Sequence, residues 1–350
     1  MAARLPSDLL DRPAQESSRL LALSYLDQID RAQRRLEDPG DVEALHDFRV
    51  GLRRLRSCVR AYRGQLRGSV TEKMRQRLRK LTRATNAGRD TEVHLTWLQK
   101  QGERLGTEDA PGLFWLIGRL EGRKYETLDP ATAEIGLRFV KGASKFRRRL
   151  AILRVEIVAG PGKRQPTFGQ VTGELIQHQV ARVKADLKRV PEAANVKEAH
   201  RARIAVKRLR YLLEPVARRT PRARGLITQL KEAQDLLGNL HDMHVLSEEI
   251  ASSLSAVSGS HRDRLSGSVR GLQTLERLAR EQSAAAFESF ASRWGGERAS
   301  RFLIRADEIG RSLTKRPVEA SVQMATLSQE GSRSAEPIWT IGKDDEMRVV

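Results

Sequence analysis

Apolar residues recur at three- and four-residue spacing along most of the 350-residue chain, and clean two-residue alternation is rare. The pattern therefore predicts helices throughout and no extended sheet. The predicted helical segments are 16–37, 42–66, 69–86, 89–104, 111–127, 131–157, 167–189, 195–218, 222–238, 240–257, 260–292 and 296–313. Gly and Pro fall mostly between them. Asp38-Pro39-Gly40-Asp41 reads as a turn ahead of a helix start, and Ala159-Gly160-Pro161-Gly162 as the strongest internal break. From about residue 315 the periodicity fades into Ser, Glu, Gly and Pro, so the tail is expected to be disordered despite Ile338 and Trp339.

The pattern also repeats. Ala44-Leu45-His46-Asp47-Phe48-Arg49-Val50-Gly51-Leu52-Arg53-Arg54-Leu55-Arg56 aligns without gaps on Glu198-Ala199-His200-Arg201-Ala202-Arg203-Ile204-Ala205-Val206-Lys207-Arg208-Leu209-Arg210, at an offset of 154 residues. Leu78-Arg79 and Gly88-Arg89-Asp90 then correspond to Leu230-Lys231 and Leu240-His241-Asp242 at an offset of 152. Two segments recurring in one order at nearly one spacing imply an internal duplication. We place the first unit at 16–160, the second at 161–313 and the tail at 314–350.

On a helical wheel Arg49, Arg53, Arg56 and Arg60 fall within roughly 80° of His46, and His200, Arg203, Lys207 and Arg210 repeat that stripe. Phe48, Leu52, Leu55, Val59, Tyr62 and Leu66 form a separate apolar stripe, repeated by Ala202, Val206, Leu209, Leu213 and Val216. Each helix thus has one face to pack and another to present cations. Arg54 and Arg208 lie off the main basic stripe, and Glu214 stands where the first copy has Arg60.

Charge sharpens this picture. Lys and Arg number 64 against 44 Asp and Glu, a net +20. Between Leu45 and Asp90 there are fourteen Lys and Arg but only three acids, Asp47, Glu72 and Asp90. Solvated helix faces usually mix the two signs at four-residue spacing to gain ion pairs. Rows of aligned cations repel one another, and their recurrence points to a polyanionic ligand. Arginine suits phosphate through paired, charge-assisted hydrogen bonds. Histidine at the head of each row adds a neutral donor that gains charge on acidification, so binding is expected to tighten through His46 and His200 as pH falls.

At these residues the sequence resembles the CHAD family, the conserved-histidine α-helical domain. The motif from His46 to Arg56, its copy from His200 to Arg210, Arg89-Asp90-Thr91-Glu92-Val93 and Leu240-His241-Asp242-Met243-His244-Val245 carry the resemblance, in order, across about residues 16–310. It implies an all-α fold of two pseudo-symmetric, antiparallel four-helix-type bundles enclosing a basic surface. It further implies binding of inorganic polyphosphate, often at polyphosphate granules, and no catalytic residue. By motif position the binding set is His46, Arg49, Arg53, Arg54 and Arg56 with His200, Arg203, Lys207, Arg208 and Arg210. Arg60 joins it from the basic stripe, and Arg79 and Lys231 are supporting candidates.

Other chemistries find less support. No Glu-x-Glu-x-Lys string of the triphosphate-hydrolysing domain found beside some relatives occurs, and no Gly-rich phosphate loop of the Walker type. His46-Asp47 and His241-Asp242-His244 invite a metal phosphohydrolase reading, but such a site needs further ligands and leaves the arginine rows without a role. No metal or other cofactor is expected. His94 and His178 read as packing or surface residues, and Cys58, the single cysteine, has no histidine placed to activate it. Nucleic acid is the rival partner, held weakly through its phosphates, although neither basic stripe carries an aromatic residue for stacking. The stripes also lack the Trp or Phe of a membrane-surface helix. Without a signal-peptide core or an apolar stretch of roughly 18 residues, the expectation is a cytoplasmic protein. An acidic protein partner and the oligomeric state stay open at this point.

Overall fold

Ten α-helices account for the periodicity among the described residues, where the only β pairing is an isolated bridge between Pro13 and Thr167. The computed structural model describes residues 5–38, 40–41, 43–152, 165–190, 195–259 and 262–315. The helices are α1 (Ala14–Arg35), α2 (Ala44–Ala61), α3 (Glu72–Gly102), α4 (Ala110–Arg123), α5 (Asp129–Ala151), α6 (Phe168–Leu187), α7 (Val196–Leu213), α8 (Pro221–Gly259), α9 (Arg262–Trp294) and α10 (Gly296–Thr314). The fold is all-α. A π-helical turn, Lys124–Leu128, joins α4 to α5. The break predicted at 159–162, Pro39 of the predicted turn, and the tail beyond residue 315 lie outside the described residues.

Two predicted pairs of segments are each one continuous helix: 69–86 with 89–104 in α3, and 222–238 with 240–257 in α8. Gly88 and Gly238 weaken the pattern without breaking the helix. An interior glycine costs about 1 kcal/mol relative to alanine, less than a long helix gains by packing along several neighbours. Here α3 packs against α2, α4 and α5, and α8 against α7, α9 and α10. These two long helices become the side walls of the site described below.

Both predicted apolar stripes are buried. Phe48, Leu52, Leu55, Val59, Tyr62 and Leu66 of the first copy, and Ala202, Val206, Leu209, Leu213 and Val216 of the second, all lie in the larger hydrophobic cluster. That cluster draws on both halves of the chain. In the first half α1 packs on α2 and α5, and α3 on α2 and α5; in the second, α6 packs on α7 and α10, and α8 on α7 and α10. The halves meet where α4 packs on α9 and where α1 touches α6, α2 touches α7 and α3 touches α8. A second cluster lies between the distal parts of α3, α4, α8 and α9, with Leu98, Leu116, Leu246 and Leu272 at its centre.

Specific bonds fasten the halves together. The buried Tyr62 hydroxyl, at the end of α2, hydrogen-bonds to Thr172 of α6 at 3.0 Å. Ala14 donates its backbone N–H to the Pro166 carbonyl, and Phe168 and Gly169 donate theirs to Arg12 and Leu10. Thr167 and Gln170 form a reciprocal capping box that starts α6 at this junction. Within the first half, Arg19 crosses from α1 to donate twice to the Leu150 carbonyl near the end of α5.

The closest helix crossing depends on glycine. A Cβ at Gly271 of α9 would lie 2.1 Å from the Asp109 carbonyl oxygen, and one at Gly112 of α4 would lie 2.5 Å from the Leu272 nitrogen. Backbone cannot give way as a side chain can. We therefore expect Gly271→Ala to destabilise the protein by about 1–3 kcal/mol or more through overpacking. Gly118→Ala, an exposed mid-helix position with nothing within 4 Å, should be neutral or stabilising by up to about 1 kcal/mol. Urea unfolding of the two variants checks both, and equal effects would contradict the crossing geometry.

Candidate anion-binding cleft

The apolar stripes of α2 and α7 decide where the basic rows go. With each stripe turned into the core, the adjoining cationic face is left at the core's edge, and α2 lies against α7. α3 and α8 close the sides. The result is a cleft of about 330 Å³ lined by Arg53, Arg56, Ser57 and Arg60 of α2 and by Thr82, Arg83, Arg89 and Asp90 of α3. His200, Arg203, Ile204, Lys207, Arg208 and Tyr211 of α7 and His241 of α8 complete it. Eight lining residues are cations and one, Asp90, is an acid.

Seven of these cations, Arg53, Arg56, Arg60, Arg83, Arg203, Lys207 and Arg208, have no hydrogen bond or ion pair among the described residues. The eighth, Arg89, lies 3.9 Å from both Asp90 and Asp242. Burial and mutual repulsion oppose the charged forms. Lys207 is pushed down to about 7, first by burial and then by Arg203, Arg53, Arg56 and Arg89. Arg208 is pushed down to about 10 by burial, Arg60, Arg182 and Arg56 together, with Asp186 opposing. Burial, reinforced by neighbouring arginines, also lowers Arg53, Arg56 and Arg203.

The histidines are held neutral. The rings of His200 and His241 lie 4.7 Å apart, and the Nδ1 atom of each is buried without a hydrogen-bond partner. Burial first, then Arg203 and His200, push His241 down to about 4, and His200 is lowered by burial, Arg203 and Lys207. Asp90 moves the other way: burial and then Asp242 raise its carboxyl. Burial is the largest cause of every shift in the cleft; neighbouring cations add to it for the arginines, Lys207 and the histidines, and oppose it at Asp90.

The structure brings together seven of the thirteen residues predicted from sequence: Arg53, Arg56, Arg60, His200, Arg203, Lys207 and Arg208. The other six lie elsewhere. Arg49 is buried and donates to Glu92 at 2.7 Å. Arg54 and Arg210 both donate to Glu214, at 3.0 and 2.8 Å, and Arg210 also to Gln234. His46 and Lys231 are exposed and do not line the cleft, and Arg79, also exposed, sits close enough to Arg56 to repel its charge. Of the two histidines expected to give a pH response, His46 stands outside the cleft and His200 has its proton affinity lowered by burial, Arg203 and Lys207, while Lys207 in the same cleft is pushed down to about 7.

Sequence reasoning left out Arg83, Arg89, His241 and Tyr211. Arg89 and His241 occupy equivalent positions of the repeat, which was a usable signal, whereas nothing distinguishes Arg83 from the other arginines of α3. Tyr211 places one aromatic ring in the cleft, but the Arg210 guanidinium covers a face of that ring at 4.7 Å. His94 is a packing residue, buried and bonded to the Asp242 carbonyl. Cys58 is buried, and burial raises its thiol far above the usual range. His244 turns from Asp242 toward Glu248, and among the described residues no group of three or more His, Cys, Asp or Glu is arranged to hold a metal ion. No described helix is long and apolar enough to cross a membrane.

Comparison with known proteins agrees with this architecture. The sequence profile of the CHAD domain family matches residues 21–251. Among solved structures, the crystal structure of the CHAD domain from the plant Ricinus communis superimposes with a TM-score of 0.61 at 20% identity, covering 83% of this chain and 95% of that one. PptA from Streptomyces chartreusis superimposes with a TM-score of 0.60 at 16% identity, covering 81% of this chain and 100% of that one. Among curated proteins no significant match is found.

The depressed lysine has a consequence for folding. Lys207 binds its proton with a pKa of about 7 in the folded protein against an ordinary 10.5, so between those values the unfolded chain holds more protons. Stability must then rise with pH across that window. Lys207→Met removes the penalty, so its stabilising effect should be largest near pH 6.5 and shrink toward pH 10. Urea midpoints at the two pH values test this, and a gain independent of pH would overturn the assignment.

Proposed function

We propose that this chain, which belongs to the CHAD domain family, binds inorganic polyphosphate in the cleft between α2, α3, α7 and α8 and leaves it chemically unchanged. The observation that carries this reading is the set of seven unpartnered cations converging on one cleft whose single acid is pushed toward neutrality. Polyphosphate has one negative charge per internal unit and no bulky bases, which suits a narrow cationic passage. Its oxygens accept the forked donors of arginine. Because the cations stand on packed helices, little protein order has to be acquired on binding. The two sequence repeats, 16–160 and 161–313, act here as one unit, since each contributes one row to the same cleft.

The non-catalytic part of the reading rests on the family resemblance. Association with polyphosphate granules follows as the cellular consequence of affinity for long chains. Nucleic acid offers the same phosphates, and Tyr211 is the one lining residue that favours it, though its ring is partly covered.

Binding of long-chain polyphosphate, followed by fluorescence anisotropy with DNA and heparin as competitors, tests the proposal. Arg53→Ala, Arg203→Ala and Lys207→Ala together should weaken binding by about a hundredfold or more. Arg138→Ala, Arg277→Ala and Arg280→Ala, which remove the same charge elsewhere, should retain affinity. Equal losses in the two triple variants, or displacement by DNA of equal phosphate content as readily as by polyphosphate, would overturn it.

Acidity gives an independent check. A bound polyanion restores the proton on Lys207, so affinity should be higher at pH 6 than at pH 9. Lys207→Met should abolish most of that difference. A pH response that survives in this variant would return the role to the histidines.

A further inference from the structure

The two copies of the repeat meet the cleft unequally, and two carboxylates account for the difference. At offset 154 Arg49 corresponds to Arg203 and Arg60 to Glu214, and at offset 152 Glu92 corresponds to His244. In the first copy Arg49 is closed off: its side chain is 8% exposed and paired with Glu92 at 2.7 Å. In the second, His244 turns to Glu248 instead, and Arg203 enters the cleft unpaired. At the other end the roles reverse. Arg56 and Arg60 of the first copy are open, whereas Arg210 of the second is held by Glu214 at 2.8 Å, and Glu214 withdraws Arg54 as well at 3.0 Å.

The open cations are therefore not equivalent positions of the repeat: Arg203 and Arg208 are open where Arg49 and Arg54 are closed, Arg56 is open where Arg210 is closed, and only Arg53 and Lys207 are open in both. Arg203 and Arg89 neighbour Lys207 and Arg53, and Arg56 neighbours Arg60, Arg83 and Arg208. We propose that Glu92 and Glu214 are end stops of the phosphate path, specificity-determining residues that withdraw Arg49, Arg54 and Arg210 from the ligand and so limit how many phosphates the cleft grips. This rests on the polyphosphate reading above.

Freeing the withdrawn arginines should enlarge the site. In the full chain, Glu214→Gln should bind long-chain polyphosphate several-fold more tightly and steepen the salt dependence by about 0.7 to 1.4, the counterions of one or two further phosphates. The double variant Glu214→Gln with Arg210→Gln should lose most of that gain. Glu92, 38% exposed, provides the second route where Glu214→Gln does not fold: Glu92→Gln should steepen the slope by about 0.7.

Defined-length polyphosphates separate an end stop from a mere change in net charge. In the unmodified protein affinity should stop rising at a shorter chain length than in either Gln variant. A gain equal at every chain length, or no gain in a folded variant, would overturn the end-stop assignment. Should the unmodified protein itself fail to bind polyphosphate, the functional reading falls instead, whereas unmodified binding that needs Arg53, Arg203 and Lys207 alongside unaffected Gln variants removes only this inference.

Discussion

Mutual repulsion among the unpaired cations of the cleft acts directly against the packing of α2 on α7, because the residues that repel and the residues that pack stand on the same two helices. Half-buried charges keep much of their interaction strength, since protein on several sides screens them less than water does. The opposing contribution is apolar. Phe48, Leu52 and Leu55 beside one row, and Val206, Leu209 and Leu213 beside the other, are almost wholly removed from solvent. Bonds away from the cleft add to it, notably the Tyr62–Thr172 bond and the N-terminal segment laid against the start of α6.

Part of the excess charge is concentrated, with eight cations and one acid lining the cleft. Elsewhere arginines find carboxylates: Arg147 bridges Asp27 and Asp30, Arg119 and Arg123 share Glu249, and Arg12 spans Asp8 and Glu16. The chain has 44 acids to distribute, and the cleft receives one, Asp90, in surroundings that favour its neutral form. A pattern set only by solubility would spread both signs over the surface. Concentrating the unpaired cations between four helices costs stability in the free protein, and a polyanion that binds only the folded state offsets that cost by mass action.

Much of this arrangement was legible in the amino-acid order. Three- and four-residue periodicity located the helices, and the repeat singled out α2 and α7. The wheel separated their packing faces from their basic faces, because a helix fixes which side chains share a side. What the order did not disclose is tertiary pairing across long separations. Arg49 meets a carboxylate 43 residues away and Arg54 one 160 residues away, and no local period encodes either. Arg208 shows the converse: it lies off the main stripe on the wheel, yet it lines the cleft because the cleft is shared by two helices rather than owned by one. The continuity of α3 and α8 was missed for a related reason, since packing along the whole helix outweighs one interior glycine.

A repeated basic helix would by itself give a symmetric cleft, in which equivalent side chains line both sides. A polyphosphate chain, with identical ends and repeating units, requires no such symmetry and gains nothing from a polarity in the protein. The asymmetry is therefore better understood from the side of stability. Each carboxylate neutralises an arginine at one end of a row, Glu92 in the first copy and Glu214 in the second, and so removes a charge that would have added to the repulsion. What remains unpaired is Arg53, Arg56 and Arg60 on α2, Arg83 on α3 and Arg203, Lys207 and Arg208 on α7, a set small enough for the core shared by these helices to hold against its repulsion.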